Sequence, residues 1–168
     1  MHLLGEFDGL PVKNSNLNRI LSDSIEFIRQ SFKNKAINIR VEPLKEEMLV
    51  YADDLLSEVF ENLLINSIRY NDKPVAEVLV KISKHQENAK NYVKIEFIDN
   101  GIGITDEQKA LIFQGGFVKK KRARGMGFGL SVVKKIIEHY NGKIWVVNKV
   151  KGDFTQGSNF ILLIPEAI

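Results

Sequence analysis

Two glycine-rich stretches have the residue types and spacing to hold a phosphorylated ligand with a flat base. Asp99-Asn-Gly-Ile-Gly-Ile104 puts a carboxylate at the end of an alternating apolar run, directly before Gly101 and Gly103, which carry no side chain to block a planar group. Gly125-Met-Gly-Phe-Gly-Leu130 is a glycine-rich turn running into an amphipathic pattern, where backbone N–H groups can face a phosphate. Between them lies the cationic run Lys119-Lys-Lys-Arg-Ala-Arg124. Either stretch alone is weak. In this order, around a basic loop, they point to a nucleotide site.

A third group lies upstream, in a helical pattern from Asp53 to about Tyr70. At about 100° per residue, Glu58, Asn62, Asn66 and Arg69 share one narrow face, with Leu56, Val59, Phe60, Leu63 and Leu64 opposite. Asparagine is a mediocre helix former because its amide competes for backbone bonds. Two of them one turn apart either serve another purpose or sit on a solvated surface. The purpose that suits them is a hard cation such as Mg²⁺, which takes oxygen ligands and keeps several waters while bridging phosphates.

The elements that must position these groups follow from periodicity. Leu17, Ile20, Leu21, Ser24, Ile25 and Ile28 recur at helical spacing, and Asp53 is a suitable N-cap for the second helix. Ile37–Val41 and Met48–Tyr51 read as short strands. Ala76–Ser83 and Tyr92–Ile98 alternate on either side of a polar loop, Lys84–Asn91, and predict an antiparallel hairpin. Thr105 caps a short helix through Phe113, and a further helix from Phe128 to about Tyr140 is closed by Asn141-Gly142. Ile144–Val147 and Phe160–Ile164 are the last strands. The sum is an α+β two-layer α/β sandwich, a mixed sheet of about five strands with about three helices on one face. Residues 1–16, broken by Gly5, Gly9 and Pro11, read as a linker, and residues 17–168 as one domain.

Composition sets outer limits. With 168 residues, 44% of them hydrophobic and 27% charged, the chain suits one globular domain. No apolar run reaches the roughly 18–20 residues needed to span a bilayer. The absence of cysteine excludes disulfide scaffolds and thiolate metal sites. The net charge of +3 is modest and concentrated in the 119–124 run, which on composition alone is either a solvated loop or a nucleic-acid patch.

The three groups, with Ile112-Phe113 and Phe117 between them, resemble in order and spacing the N, G1, F and G2 boxes of the GHKL ATP-binding superfamily. Within it they are most similar to the catalytic, ATP-binding domain of sensor histidine kinases. Gly157-Ser158-Asn-Phe160, leading to Pro165, resembles the last motif of that family, so the resemblance spans roughly Leu17 to Pro165. It implies that Asp99 accepts a hydrogen bond from the adenine amine, and that Gly101 and Gly103 let the backbone approach the base. Asn62, Asn66 and Arg69 form the implied catalytic set, with Asn66 on Mg²⁺ and Arg69 in place of a phosphate-contacting lysine. Tyr70 packs near the nucleoside. Gly125, Gly127 and Gly129 shape the phosphate turn, residues 114–126 form an ATP lid, and Ile104, Arg124, Phe128, Leu130 and Ser158 complete the nucleotide-binding set. Phe113 and Phe117 are expected to anchor the lid or fill core.

The resemblance also implies the chemistry. Hydrolytic members carry a glutamate where this chain has Asn62, and an amide cannot take a proton from water. A kinase whose nucleophile is an imidazole on another domain has no need of that base. His2, His85 and His139 do not fit a phosphoacceptor, so the expected partners are a histidine-bearing dimerisation domain, with residues 1–14 as the tail of its hairpin, and a response-regulator receiver domain. No nucleic-acid partner is expected. The expected setting is cytoplasmic, with a membrane reached only through upstream regions. Two other readings stay open: a nucleotide-binding regulatory module without phosphotransfer, and a dinucleotide oxidoreductase, for which Gly125-x-Gly-x-Gly129 lacks the preceding strand.

Overall fold

The computed structural model describes residues 11–42, 47–114 and 129–167. Helix α1 (Leu17–Ser31) starts where Asn16 accepts the Arg19 N–H at 3.0 Å, and it buries the stripe Leu17, Leu21, Ser24, Ile25 and Ile28. Helices α2 (Leu56–Arg69), α3 (Asp106–Lys109) and α4 (Leu130–His139) follow in chain order. The strands are β1 (Lys13–Asn16), β2 (Ala36–Val41), β3 (Leu49–Ala52), β4 (Val75–Glu87), β5 (Lys90–Asp99), β6 (Lys143–Val150) and β7 (Asp153–Pro165).

Five strands form the main sheet in the order β2-β4-β5-β7-β6, with β2 parallel to β4 and every other pair antiparallel. Alternate residues from each strand, among them Val78 and Val80, Ile95 and Phe97, Phe160 and Leu162, and Ile144 and Val146, share one core with α1, α2 and α4. The mixed five-stranded sheet covered on one face is the architecture expected. Each fully buried Leu or Ile side chain in that core contributes about 1.5–3 kcal/mol relative to exposure.

Several boundaries differ from expectation, each for a local reason. Residues 13–16 are not loose linker: β1 pairs antiparallel with β3 in a separate two-stranded sheet, so the Met48–Tyr51 strand, found at Leu49–Ala52, lies outside the main sheet. Asp53 does not cap α2 directly; Leu55 holds that position, and the Asp53 carboxylate accepts the Leu55 N–H at 2.9 Å in the preceding turn. The expected Lys84–Asn91 loop shrinks to Asn88 and Ala89, both at positive φ (52° and 64°), because β4 and β5 pair out to Glu87↔Lys90. Thr105 caps α3 with a full capping box, but the helix ends at Lys109 and continues as turns toward Phe113. Helix α4 begins at Leu130, with Gly129 as its N-cap and Tyr140 as its C-cap. Asn141 takes the left-handed position after it (φ 65°), while Gly142 is needed for space, since a Cβ there would meet the Leu163 carbonyl at 2.2 Å.

Candidate functional site

Strand β5 ends at Asp99, where its side chain turns toward α2. The carboxylate is 5% exposed. Its Oδ1 accepts the N–H of Gly101 at 2.9 Å and of Ser158 at 3.1 Å, and its Oδ2 accepts the Ser67 hydroxyl at 3.1 Å. Three elements thus converge on one side chain: the turn after β5, strand β7 and helix α2. Burial pushes the Asp99 carboxyl above its ordinary value, and the two N–H groups, the Ser67 hydroxyl and the Lys149 charge oppose that push. Ser67 was missed by motif reading. Its signal is a polar residue on the apolar side of α2, beside Leu63, Leu64 and Ile68, where an unbonded hydroxyl would be costly.

The glycines of the turn have nearer reasons than a ligand. A Cβ on Gly101 would lie 2.5 Å from the Tyr70 carbonyl, which also accepts the Ile102 N–H at 3.0 Å. Gly103 has φ +84°, and a Cβ there would lie 1.8 Å from the Phe154 carbonyl. Gly157, at φ +121°, presses on the Asp99 carbonyl, where a Cβ would come within 2.0 Å. Asn100 faces away from Asp99's partners: its Oδ1 accepts from Asn71 Nδ2 at 2.7 Å and from the Glu77 N–H at 2.9 Å, tying the turn to the α2–β4 connection. Ile104 is half-buried and packs on the core.

Along α2 the expected stripe divides by depth. Leu56, Val59, Phe60, Leu63 and Leu64 are fully buried. Asn62 is buried too, at 5% exposure, with Nδ2 donating to the Glu58 carbonyl at 2.8 Å, so it is no solvated surface residue. Its other amide atom, Oδ1, is thereby left for a different partner. Asn66 is half-buried, and Arg69 and Tyr70 are exposed at the helix end. Glu61, half-buried, has its carboxyl pushed up, first by burial and then by the Glu58 charge.

Across the sheet, Ser158 is buried in β7 with its N–H on Asp99. Phe160, two residues on, meets Phe113 edge-to-face at 6.3 Å between ring centres, so Phe113 packs against core. Gly129 caps α4 with no side-chain hydrogen bond and no acidic residue in the first turn, which leaves helix-terminal N–H groups for an anion. Leu130 is buried beside it. Arg124, Gly125, Gly127 and Phe128, Phe117 and the lysine run lie outside the described residues, as do His2 and most of the linker. The structure therefore brings Asp99, Gly101, Gly103, Ser158 and the α2 end together, while the expected lid, about residues 114–126, lies almost wholly outside the described residues.

Comparison with known proteins identifies the family and the fold. Residues 51–168 match the family described as the histidine kinase-, DNA gyrase B-, and HSP90-like ATPases. The chain belongs to that family. Cyanobacterial phytochrome B of a Nostoc species is 32% identical over 169 residues, covering 97% of this chain and 21% of that protein. The adaptive-response sensory kinase SasA of a Synechocystis species is 32% identical over 149 residues, covering 87% of this chain and 37% of its own length. The chain thus spans well under half the length of these relatives. Among solved structures, the nucleotide-free catalytic domain of histidine kinase ThkA superposes with a TM-score of 0.77 at 25% identity, covering 94% of this chain and 97% of that one. Among the described residues, no helix is long and apolar enough to cross a membrane.

Proposed function

We propose that this ATPase-family domain binds Mg²⁺-ATP and presents its γ-phosphoryl to a histidine on a separate dimerisation domain, for onward transfer to a response-regulator aspartate. Asp99 reads the adenine amine, with Gly101, Gly103, Ile104 and Ser158 around the base and Tyr70 beside the nucleoside. Arg69, Arg124 and the turn Gly125, Gly127, Phe128, Gly129, Leu130 take the phosphates. The observation that supports the reading is Asn62: at the motif position where hydrolytic members of the resembled superfamily carry a glutamate, this chain has a buried amide bonded to the Glu58 carbonyl, and an amide cannot act as a base toward water. In the transfer the bond between the γ-phosphorus and the β–γ bridging oxygen breaks, a P–N bond to the imidazole forms, and ADP leaves. The domain acts on the cytoplasmic side, and any membrane anchor belongs to other parts of the protein.

The donor set fits Mg²⁺. Among the described residues no group of three or more acidic or histidine side chains could hold a metal alone, so the ion would rely on phosphate oxygens, water and the amide oxygen of Asn66, with that of Asn62 beside it. Bound there it would neutralise charge on the triphosphate and fix its orientation.

The test is titration of the chain with ATP in the presence and absence of Mg²⁺, followed by addition of a helical-hairpin domain bearing an acceptor histidine. The expected result is Mg²⁺-dependent ATP binding, near-background ATP hydrolysis, and acid-labile phosphate on the histidine. Absence of adenine-nucleotide binding overturns the proposal. Binding without transfer to any histidine domain favours a regulatory nucleotide module instead.

A further inference from the structure

The turn from Asp99 to Gly103 is held from two sides by different kinds of atom. On the α2 side the contact is all backbone: the Tyr70 carbonyl sits against Gly101 and accepts the Ile102 N–H. On the β7 side it includes a side chain. The Phe154 carbonyl lies against Gly103, and its ring Cδ2 would stand 3.2 Å from a Cβ there. Three residues further along β7, Gly157 presses on the Asp99 carbonyl and Ser158 donates its N–H to the carboxylate. One strand therefore touches both ends of the turn, at Asp99 and at Gly103.

The hairpin that delivers Phe154 is preorganised. Gly152 makes the turn at φ +85°. Asp153 Oδ1 accepts both the N–H (3.0 Å) and the hydroxyl (2.6 Å) of Thr155, and Oδ2 accepts from Gln156 at 3.2 Å. These bonds hold the Asp153 carboxyl below its ordinary value. Phe154 thus sits between residues bonded to each other across it. The residue is nonetheless 38% exposed, which leaves apolar surface at the edge of the turn for something to cover.

We propose that Phe154 is a positioning and specificity-determining residue: its ring sets the Asp99–Gly103 turn against the purine, so that selection of adenine over guanine depends on it. This rests on the nucleotide-site reading above. Guanine presents a carbonyl oxygen where adenine presents an amine, so an Asp99 carboxylate held in register repels guanine. A turn free to shift loses that distinction.

The experiment measures affinities for Mg²⁺-ATP and Mg²⁺-GTP by competition against a fluorescent adenine nucleotide, for the wild-type chain, Phe154→Ala and Phe154→Tyr. Phe154→Ala is expected to lose about tenfold in ATP affinity with little change for GTP, so the selectivity ratio falls by a similar factor, while Phe154→Tyr, which keeps the ring, retains the wild-type ratio. Wild-type amide exchange at Gly103 and Thr155 is expected to slow on ATP addition. If Phe154→Ala fails to fold, Phe154→Leu and the wild-type exchange measurement decide. An unchanged ATP/GTP ratio in a folded variant, or no ATP-dependent protection at Gly103 and Thr155, overturns this inference alone. A wild-type chain that binds no adenine nucleotide overturns the nucleotide-site reading together with it.

Discussion

Asp99 keeps a carboxylate where the surroundings disfavour its charge, and that conflict is informative. An asparagine could accept from Gly101 and Ser158 and donate to Ser67, without the cost of a buried charge. Asp99→Asn is therefore expected to unfold at the same or a higher temperature than wild type at neutral pH, while its ATP affinity falls at least about tenfold. The pH dependence has a definite sign. Because the folded-state value lies above the ordinary 3.8, wild-type stability rises as pH falls through that raised value and levels off below 3.8. The advantage of the variant is thus full near neutrality and fades toward about pH 4. Thermal unfolding of both proteins at the two pH values, with nucleotide titration, decides it; a less stable Asp99→Asn at neutral pH removes the argument. At this scale the sequence was readable where a residue departed from its surroundings. Asn62 and Asn66 stood out as asparagines paired one turn apart on the polar face of a helix, and Asp99 as a carboxylate closing an alternating apolar run; Ser67 could have been found as a polar residue on the helix's apolar side. The contacts of Gly101, Gly103 and Gly157 could not, because they are made to carbonyls far along the chain.

Hairpin β4–β5 separates propensity from pairing at the scale of the element. Lys84–Asn91 has a loop's composition, yet both strands run through it, with the Glu87 carboxylate bonded to Lys143 and 3.2 Å from His85 Nε2. Those partners hold the Glu87 carboxyl below its ordinary value, and the strand extension rests on long-range pairing that local propensity does not report. The two-residue turn that results needs positive φ at both positions, which Asn88 tolerates and Ala89 does not. Ala89→Gly is expected to stabilise the domain by about 1 kcal/mol, since a left-handed alanine costs roughly 1–2 kcal/mol. In a chain of this size that is a rise of about 2–4 °C in the unfolding midpoint. A calorimetric scan showing no rise would mean the turn relaxes differently in solution. Helix α2 gives the converse case: its long apolar stripe made its existence legible, while its first residue was misplaced because Asp53 bonds elsewhere.

That other bond ties the molecule together. Tyr140, at the end of α4 and 1% exposed, donates its hydroxyl to the Asp53 carboxylate just before α2. Burial first, and then the Asp53 bond and charge, push the tyrosine hydroxyl upward, so it stays protonated and donating. Tyr140→Phe leaves a buried carboxylate short of a donor and is expected to cost about 2–3 kcal/mol in denaturant unfolding, with nucleotide affinity falling less in proportion because Asp99 is untouched. A cost near zero would show that Asp53 finds another donor. By itself the sequence determined the fold class and the helical stripes, because these depend on periodicity, and its motifs resembled those of the ATPase family to which the chain belongs. Only the tertiary structure decided that residues 13–16 join a second small sheet, that Ser67 and Ser158 hold Asp99, that Phe154 bears on Gly103, and that Tyr140 reaches Asp53. Each of those contacts joins residues more than 30 positions apart. No local pattern records a partner at that distance, and it is packing of the layers that brings the two ends into reach.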